Sequence, residues 1–582
     1  MEKRVLLAVT LSFLVLLIYQ ALVPSPPPRR TGTAAPSAAV SEQAVAETAA
    51  PAEAASEVPA PAEGEAPAGD IVADVEAREI VVESGPVRAV FSNRGAVITS
   101  WRLNRFFDVN DEPIELVPAG LPPTVARPFS LRLPDAAHTA QLRGALFRTD
   151  APARIDATKE PATLTFEYQG ANGLRVVKTF RIDPDSYVIT YSVEASLNGT
   201  PLNPAIDWGP GLADSMHIEA QNGSFFGTYR QKAQAILYAD RSVERLPASK
   251  VTEQPTWSGT FPFAGIDDHY FIATLVNPGP ARLTFEPMTM PMPGQPDLQR
   301  EMMRFEVVYD TPVRDKRVYF GPKEFDVLAS VDRDLVRSIH FGVFSFLAVP
   351  LLRTLKWING MVGNYGWSII ILTVLINLLM FPLRHKSVVS MRKMQELQPQ
   401  VKAIQDRYAK LKLTDPARAK MNEELMQLYR EKGVNPASGC VPMLLTIPVL
   451  FAFYSMLSVA VEIRGEPWAF WIKDLSRHDP LYITPVLMGL TMIWQQRMTP
   501  MADPAQARVM MLTPIIFLFF FLWAPSGLVL YWLVSNLLAI GQQYATNRII
   551  GKPVVRQVRP PAERRLKQAG AGKTEGARGA GR

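Results

Sequence analysis

Long runs of uncharged, mostly apolar residues limit what this chain can fold into. Residues 5–23 contain no charge over 19 positions, residues 361–383 none over 23, and residues 441–461 none over 21. An α-helix rises about 1.5 Å per residue and the hydrocarbon core of a bilayer is about 30 Å thick. Each run is therefore long enough, or nearly so, to cross a membrane as a helix.

Two further runs extend the pattern. Residues 481–496 are uncharged, and so are the 32 residues 509–540, which Pro525-Ser526-Gly527 divides with a tight turn. The first run lacks a signal-peptide cleavage pattern and is predicted to remain as an N-terminal anchor. The predicted fold is a polytopic α-helical membrane protein with six transmembrane helices, at residues 1–23, 361–383, 441–461, 481–496, 509–523 and 528–547.

The distribution of Lys and Arg predicts the orientation of these helices. Residues 384–440 carry 12 basic residues, residues 497–508 carry 2 and residues 548–582 carry 10, whereas the short loops on the other side carry only 3. Basic residues in short loops remain cytoplasmic. Both termini and the basic tail are therefore predicted to be cytoplasmic, and the segment between the first two helices is predicted to be periplasmic.

That segment has two parts of different composition. Residues 24–70 include 15 Ala and 9 Pro and no aromatic residue, which predicts a disordered tether extending to about residue 74. Residues 75–337 instead show short runs of alternating apolar and polar residues. Leu164, Phe166 and Tyr168 alternate with polar residues before a turn at Gly170-Ala171-Asn172-Gly173, which predicts a hairpin. A large antiparallel β-sandwich is expected here.

Several chemical functions are not supported by the sequence. The single cysteine, Cys440, excludes an intramolecular disulfide and a thiolate zinc cluster. Asp267-Asp268-His269 is interpreted as a solvated turn rather than a metal site, because adjacent strand residues do not converge on one ion. No hydrolase motif occurs. We expect no enzyme activity, no catalytic residue, no metal, no cofactor and no DNA partner.

Two amphipathic regions flank the second predicted span. Residues 338–360 mix aromatic and basic residues and predict a helix in the membrane interface, although a helix capping the β domain is the alternative. Residues 384–440 predict a cytoplasmic helical hairpin. Its methionine stripe is the ordinary seam of two helices or a surface for emerging apolar chains, and its basic faces suit a ribosome. The hairpin candidates are Met391, Arg392, Lys393 and Met394.

Short motifs in the helical part resemble the core of the YidC family. They are Asn364-Tyr365-Gly366-Trp367-Ser368-Ile369, Met380-Phe381-Pro382-Leu383, Leu397-Gln398-Pro399, Val434-Asn435-Pro436, Phe521-Leu522-Trp523 and Pro525-Ser526-Gly527. The resemblance covers roughly residues 338–550. Weaker strings in the β domain, Ser92-Asn93-Arg94-Gly95 and Tyr319-Phe320-Gly321-Pro322-Lys323, fit the Gram-negative branch, whose periplasmic domain is a β supersandwich.

The resemblance implies a membrane insertase of the bacterial inner membrane with a five-helix core. Its expected partners are nascent membrane proteins, the Sec translocon, the ribosome and membrane lipids. Substrate helices would pass from a polar, cytoplasm-facing groove into lipid along spans three and five. The implied substrate contacts on spans three, five and six are Leu450, Trp523, Tyr531 and Trp532.

Polar residues within the predicted spans are the candidate groove wall, because polar groups are costly in hydrocarbon unless they are hydrogen-bonded. For each of them an ordinary interhelical hydrogen bond is the alternative role. The candidates are Thr373, Asn377, Thr446, Gln495 and Asn536.

Asn377 occupies the position at which many family members carry a groove arginine. An amide donates and accepts hydrogen bonds but supplies no charge. The nearest basic residues in the sequence begin at Arg384, about 10 Å further along a helix. This groove is therefore expected to depend on polarity rather than on a fixed positive charge.

Two rival functions fit the sequence less well than insertion. A polytopic transporter with a periplasmic binding domain typically shows internal repeats, and no repeat relates spans two and three to spans five and six. A carbohydrate-binding envelope protein fits a β-sandwich but leaves five further spans unexplained.

Overall fold

A computed structural model describes most of the chain. It covers residues 71–108, 111–122, 125–212, 233–292, 295–408, 417–433, 441–498 and 511–550. The predicted anchor, nearly all of the tether, part of the predicted hairpin and the tail from residue 551 lie outside these residues, as do the side chains of Met391, Arg392 and Thr446.

The N-terminal half of the described chain is a β domain. Its strands are β1 (Glu79–Ser84), β2 (Val87–Ser92), β3 (Val97–Phe107), β4 (Pro113–Glu115), β5 (Ser130–Arg132), β6 (Arg154–Asp156), β7 (Ala162–Gln169), β8 (Leu174–Ile182), β9 (Val188–Leu197), β10 (Thr200–Leu202), β11 (Ala205–Trp208), β12 (Gln234–Ala239), β13 (Ser242–Leu246), β14 (Thr256–Asp267), β15 (Phe271–Met292), β16 (Gln295–Tyr309) and β17 (Val313–Pro322). Two short helices, α1 (Ala136–Gly144) and α2 (Ala248–Glu253), interrupt them.

These strands form two sheets. Within the described residues, the smaller sheet has 5 strands in the order β4-β3-β2-β1-β6. The larger sheet has 12 strands, and its main path runs β13-β12-β14-β15-β17-β9-β8-β7, with β5, β10, β11 and β16 attached beside it.

The predicted hairpin is confirmed. Strands β7 and β8 pair antiparallel, with Leu164 opposite Phe180. Leu164, Phe166 and Phe180 are fully buried, whereas Thr165 between the first two is exposed. Alternation of apolar and polar residues thus places one face of the hairpin in the core.

The core lies between the two sheets. The Trp101 indole of β3 stacks on Phe320 of β17 at 5.4 Å, and its Nε1 donates to the Phe320 carbonyl at 2.9 Å. Phe91 of β2 contacts Phe180 of β8 with ring centroids 5.2 Å apart. Burial of these large aromatic side chains stabilises the association of the sheets.

A lysine is buried in the same core. Lys178 is 1% exposed, and its ammonium donates to three carbonyl oxygens, those of Gly95 at 2.7 Å, Ala96 at 3.1 Å and Phe129 at 2.8 Å. Burial lowers the pKa of Lys178 to about 7. One side chain of the larger sheet therefore fixes the turn between β2 and β3.

The Asp267-Asp268-His269 segment is not the solvated turn expected from the sequence. All three residues are buried. Asp267 pairs with the buried Lys323 at 3.2 Å, and Asp268 Oδ1 accepts from the backbone N–H groups of Tyr270 and Phe271 at 3.0 and 2.7 Å. Each carboxylate is thus held through one of its oxygens, and the described residues contain no group of three or more His, Cys, Asp or Glu side chains suited to a metal.

The second half of the described chain is helical. Its helices are α3 (Phe325–Val331), α4 (Ser345–Val362), α5 (Tyr365–Glu396), α6 (Gln398–Arg407), α7 (Ala417–Glu431), α8 (Val441–Val459), α9 (Ile483–Met498), α10 (Thr513–Phe521) and α11 (Ser526–Ile550), with 3-10 turns at Leu335–Ser338 and Val461–Ile463. Helix α5 packs against α4, α8 and α11, and α9 packs against α10 and α11.

The helix α5 continues well past the predicted second span. Gly363, at φ +71°, ends α4, and α5 then begins at Tyr365 rather than at residue 361. Among the helices in the described residues, one segment, Tyr365–Ser390 of α5, is both long and apolar enough to cross a membrane, and Pro448–Val459 is a shorter apolar helix.

The β domain and the helices meet around Lys356 of α4. Its Nζ lies 3.3 Å from Glu324, 2.6 Å from Asp326 and 3.4 Å from Glu462, which follows α8. Burial alone would lower the pKa of Lys356, but the three carboxylates raise it above its ordinary value. Nearby, Nε2 of His269 donates to the Ser458 carbonyl at 2.7 Å.

The depressed pKa of Lys178 predicts a pH-dependent stability. Between about pH 7 and about pH 10.5 the unfolded chain binds more protons at this residue than the folded one, so stability rises with pH across this range; below about pH 7 both states are protonated and this contribution no longer changes with pH. Thermal unfolding of the full-length protein in detergent should show that Lys178→Met removes this component, up to about 1.4 kcal/mol per pH unit. The exposed Lys250→Met is the control, and an unchanged slope in Lys178→Met contradicts the prediction.

Candidate functional site

The polar side chains of α5 follow one face of the helix. Thr373 is fully buried, and its Oγ1 donates to the Ile369 carbonyl of the same helix at 2.6 Å. Asn377, one turn later, donates from Nδ2 to the Thr373 carbonyl at 2.8 Å. The Thr373 hydroxyl is thus used inside its own helix, whereas the Asn377 carbonyl oxygen points elsewhere.

That oxygen accepts a hydrogen bond from an arginine. Nη1 of Arg384 donates to Oδ1 of Asn377 at 2.7 Å. Seven residues are close to two helical turns, so the two side chains share a face, and the Cβ bonds of a helix point towards its N-terminus. Arg384 therefore extends back along α5 to Asn377. The sequence-based distance of about 10 Å between Asn377 and the nearest basic group is therefore wrong for the guanidinium itself. That the groove depends on polarity rather than on a fixed charge stays a prediction.

Helix α11 supplies the other side of this cluster. Ser535 Oγ lies 3.5 Å from Asn377 Nδ2, and Tyr531 lies within electrostatic range of Arg384. The Tyr531 ring is buried and stacks on Phe453 of α8 at 4.1 Å. We call Asn377, Arg384, Tyr531 and Ser535 the Arg384 cluster. It lies where α5, α8 and α11 come together.

Asn536 lies in a different helix interface. Its Nδ2 is 3.3 Å from Thr491 Oγ1 and 3.5 Å from the Met488 carbonyl, both on α9. Asn536 is 6% exposed. The structure therefore separates Asn536 from Asn377, and its contacts are those of an interhelical hydrogen bond. Gln495, also on α9, is partly buried.

The predicted apolar contacts are distributed over three helices. Leu450 of α8 packs at the edge of the core. Trp532 of α11 contacts Phe521 and Phe517 of α10, with ring centroids 5.0 and 5.3 Å apart. Trp523, beyond the end of α10, makes an edge contact with Phe519 at 5.0 Å.

Two family descriptions match the chain. The 60Kd inner membrane protein family matches residues 357–553, and the YidC periplasmic domain matches residues 79–354. Membrane protein insertase YidC of Syntrophus aciditrophicus is 34% identical, covering 94% of this chain and 100% of its own. The same-named protein of Geobacter metallireducens is 35% identical, covering 94% and 99%. The chain belongs to the YidC family.

A solved structure also aligns with the chain. It is described as an active YidC insertase crystal structure with the first transmembrane domain resolved. The alignment covers 81% of this chain and 93% of that one, at 19% identity and a TM-score of 0.34.

The boundary between the two matched regions lies within α4 of this chain. The periplasmic-domain match spans the two sheets, and the inner-membrane match spans α5 to α11. The whole Arg384 cluster lies in the inner-membrane match.

Of the predicted hairpin, residues 384–440, the structure describes the C-terminal part of α5 and the helices α6 and α7. Glu424 of α7 accepts from Arg407 at 2.8 Å and from the Tyr408 hydroxyl at 2.7 Å. Of the four predicted hairpin residues, Lys393 is exposed and Met394 is partly buried, both near the end of α5.

Sequence reasoning missed two members of the cluster. The charge pattern counts Arg384 among the cytoplasmic basic residues, although its spacing of seven residues from Asn377 places it on the same face of α5. Ser535 precedes the predicted Asn536 and faces a different helix, because adjacent residues on a helix point in directions about 100° apart.

The contacts of Asn536 predict a structural role. Asn536→Leu removes a hydrogen bond between α11 and α9, and we expect a loss of about 1 kcal/mol of stability. Thermal unfolding of the full-length protein in detergent measures the loss. Leu537→Ala, which alters an exposed side chain of the same helix, is the control. Equal stability of Asn536→Leu and the parent would contradict this role.

Proposed function

We propose that this protein moves transmembrane segments of nascent membrane proteins into the inner membrane past the Arg384 cluster. Membrane protein insertion is the function of its family, as the names of its relatives state, and it requires no covalent chemistry. Moving a polar segment through hydrocarbon costs several kcal/mol for each unsatisfied group, so an insertase must provide polar partners at depth.

The direction of the Arg384 side chain carries this proposal. Long basic side chains near helix ends normally extend towards the aqueous interface, because burying the charge in hydrocarbon is costly. Arg384 instead runs inward to Asn377, which is 9% exposed. Within the described residues, no carboxylate forms an ion pair with Arg384. None of its nitrogen atoms is both fully buried and without a hydrogen-bond partner. Its remaining N–H groups therefore face open space, as in a polar groove.

The proposed route continues along exposed apolar side chains of α8 and α10. The helix α10 exposes Ile515, Ile516, Phe519 and Phe520, and α8 exposes Phe451. These helices are the predicted spans three and five. A substrate helix that has passed the cluster would find an apolar surface continuous with lipid along them.

The wider arrangement belongs to the same proposal. Six spans with cytoplasmic termini place the β domain in the periplasm and the hairpin of α6 and α7 at the ribosome. Anionic lipids would bind the basic cytoplasmic segments through their opposite charge. The Sec translocon would be a further partner of this protein. Thr446 and Gln495 would complete the polar wall, whereas Thr373 and Asn536 bond within the bundle.

Photocrosslinking tests the proposed route. A photoreactive residue at Ser535 or Leu450 should label a nascent single-span membrane protein during its synthesis, because both positions border the route. Trp494, exposed on α9, is the control position and should label it weakly. Equal labelling from all three positions would refute the route. Labelling by a small solute alone would favour the transporter.

Substitutions in the cluster test its charge. Arg384→Gln should slow translocation of an acidic N-terminal tail by about tenfold, since hydrogen bonds to charged groups contribute about 1.5–3 kcal/mol. Asn377→Asp should have the same effect, because it gives the guanidinium a permanent carboxylate partner. A neutral tail should pass at the parental rate in both variants, as measured by protease protection.

Matched variants separate this effect from general damage. Lys386→Gln removes an exposed positive charge two residues away, and Thr373→Val removes a hydroxyl that bonds its own helix. Neither should distinguish acidic from neutral tails. If Arg384→Gln slowed translocation of both tails equally, Arg384 would be a packing residue. The crosslinking experiment would then be the test of the route.

A further inference from the structure

A cleft in the β domain has no role in the insertion route. Its volume is about 550 Å³, and it lies between the turn that joins β2 to β3, the C-terminal end of α1 and the segment leading into β5. The volume is within the range of about 300–1,000 Å³ that is typical of sites for small organic ligands.

The lining of this cleft is basic. It contains Arg94, Arg127, Arg143 and Lys178, and it contains no carboxylate. Other arginines of the same domain are paired with acids, as Arg314 is with Glu194 at 3.3 Å. Among the described residues, no carboxylate forms an ion pair with Arg94 or Arg127. These two arginines, held in one cleft without an acidic partner, raise the local affinity for an anion.

The motif Ser92-Asn93-Arg94-Gly95 forms one wall of the cleft. The fold explains the presence of Asn93 and Gly95 but not that of Arg94. Asn93 is fully buried, accepts from the Arg78 N–H at 2.9 Å and donates to the Glu76 carbonyl at 2.9 Å. Gly95 adopts φ +74°, a conformation that favours glycine.

Lys178 holds the backbone of this wall in place. Its ammonium binds the Gly95 and Ala96 carbonyls, which fixes the backbone on both sides of the glycine. The side chain of Arg94, by contrast, is exposed and serves none of these contacts. The turn is therefore built to hold Arg94 in place, while Arg94 itself does not stabilise the turn.

We propose that this cleft binds an organic phosphate. A guanidinium presents parallel N–H donors that match the oxygens of a phosphate, and several arginines together neutralise its charge. The apolar residues Leu121, Leu131 and Leu142 line the same cleft and contact the organic part. A phospholipid headgroup and a soluble phosphate ester share this chemistry.

Calorimetric titration of the full-length protein in a neutral detergent tests the site. The soluble probe is glycerol 3-phosphate, with glycerol as its uncharged control. The lipid probe is dihexanoyl phosphatidylglycerol below its micellar concentration, with dihexanoyl phosphatidylcholine as its control. Saturable binding of either anionic probe, stronger than that of its control, supports the proposal and identifies the source of the phosphate.

Arginine variants locate the binding. Arg94→Gln and Arg127→Gln should each weaken binding about tenfold, the loss of one charge-assisted contact. Arg314→Gln, which removes an arginine outside the cleft, should leave it unchanged. Circular dichroism establishes that each variant is folded. Absence of saturable binding by the parent, or binding that neither cleft variant weakens, overturns the proposal. Neither result affects the insertion route.

Discussion

The ion cluster around Lys356 joins the β domain to the helices. One ammonium contacts Glu324 and Asp326, which follow the last strand, and Glu462, which follows α8. Removing one charge of a buried ion pair leaves the other without compensation, so the contact of Lys356 with the buried Glu462 contributes more than its contact with the exposed Asp326. Since α4 also packs on α5, the position of the polar face of α5 relative to the β domain depends on this cluster.

The sequence predicted those features that local pattern determines. Alternation gave the hairpin around Phe166, and uncharged runs gave the helices that contain Asn377 and Tyr531. It did not predict that Asp267, Asp268 and His269 are buried, because the partner of His269 is the carbonyl of Ser458, 189 residues away. Nor did it place Arg384, since the reach and direction of a long side chain are invisible in a residue pattern.

The polar residues of the helical part fall into two classes that composition alone does not separate. Thr373 bonds to its own helix, and Asn536 makes a hydrogen bond between helices, a kind that contributes about 0.6 kcal/mol on average in membrane proteins. The carbonyl oxygen of Asn377 instead accepts a hydrogen bond from the Arg384 guanidinium, whose other N–H groups remain available as donors. A charge that is buried in the membrane with some of its hydrogen-bond donors unpaired adds little to the stability of a helix bundle. This arrangement is therefore better explained by a function than by a contribution to stability.

The contact between Arg384 and Asn377 also bears on how equivalent residues are recognised. A guanidinium that begins two turns further along a helix and folds back delivers its charge close to the place where an arginine at position 377 would begin. Two residues of related proteins are then equivalent when their charged groups lie at the same place in the structure, even if they stand in different columns of an alignment. A survey that sorts such proteins by the residue in that column would class this one as uncharged. It would miss pairs of substitutions in which an arginine is lost at that position and another, two turns away, supplies the charge.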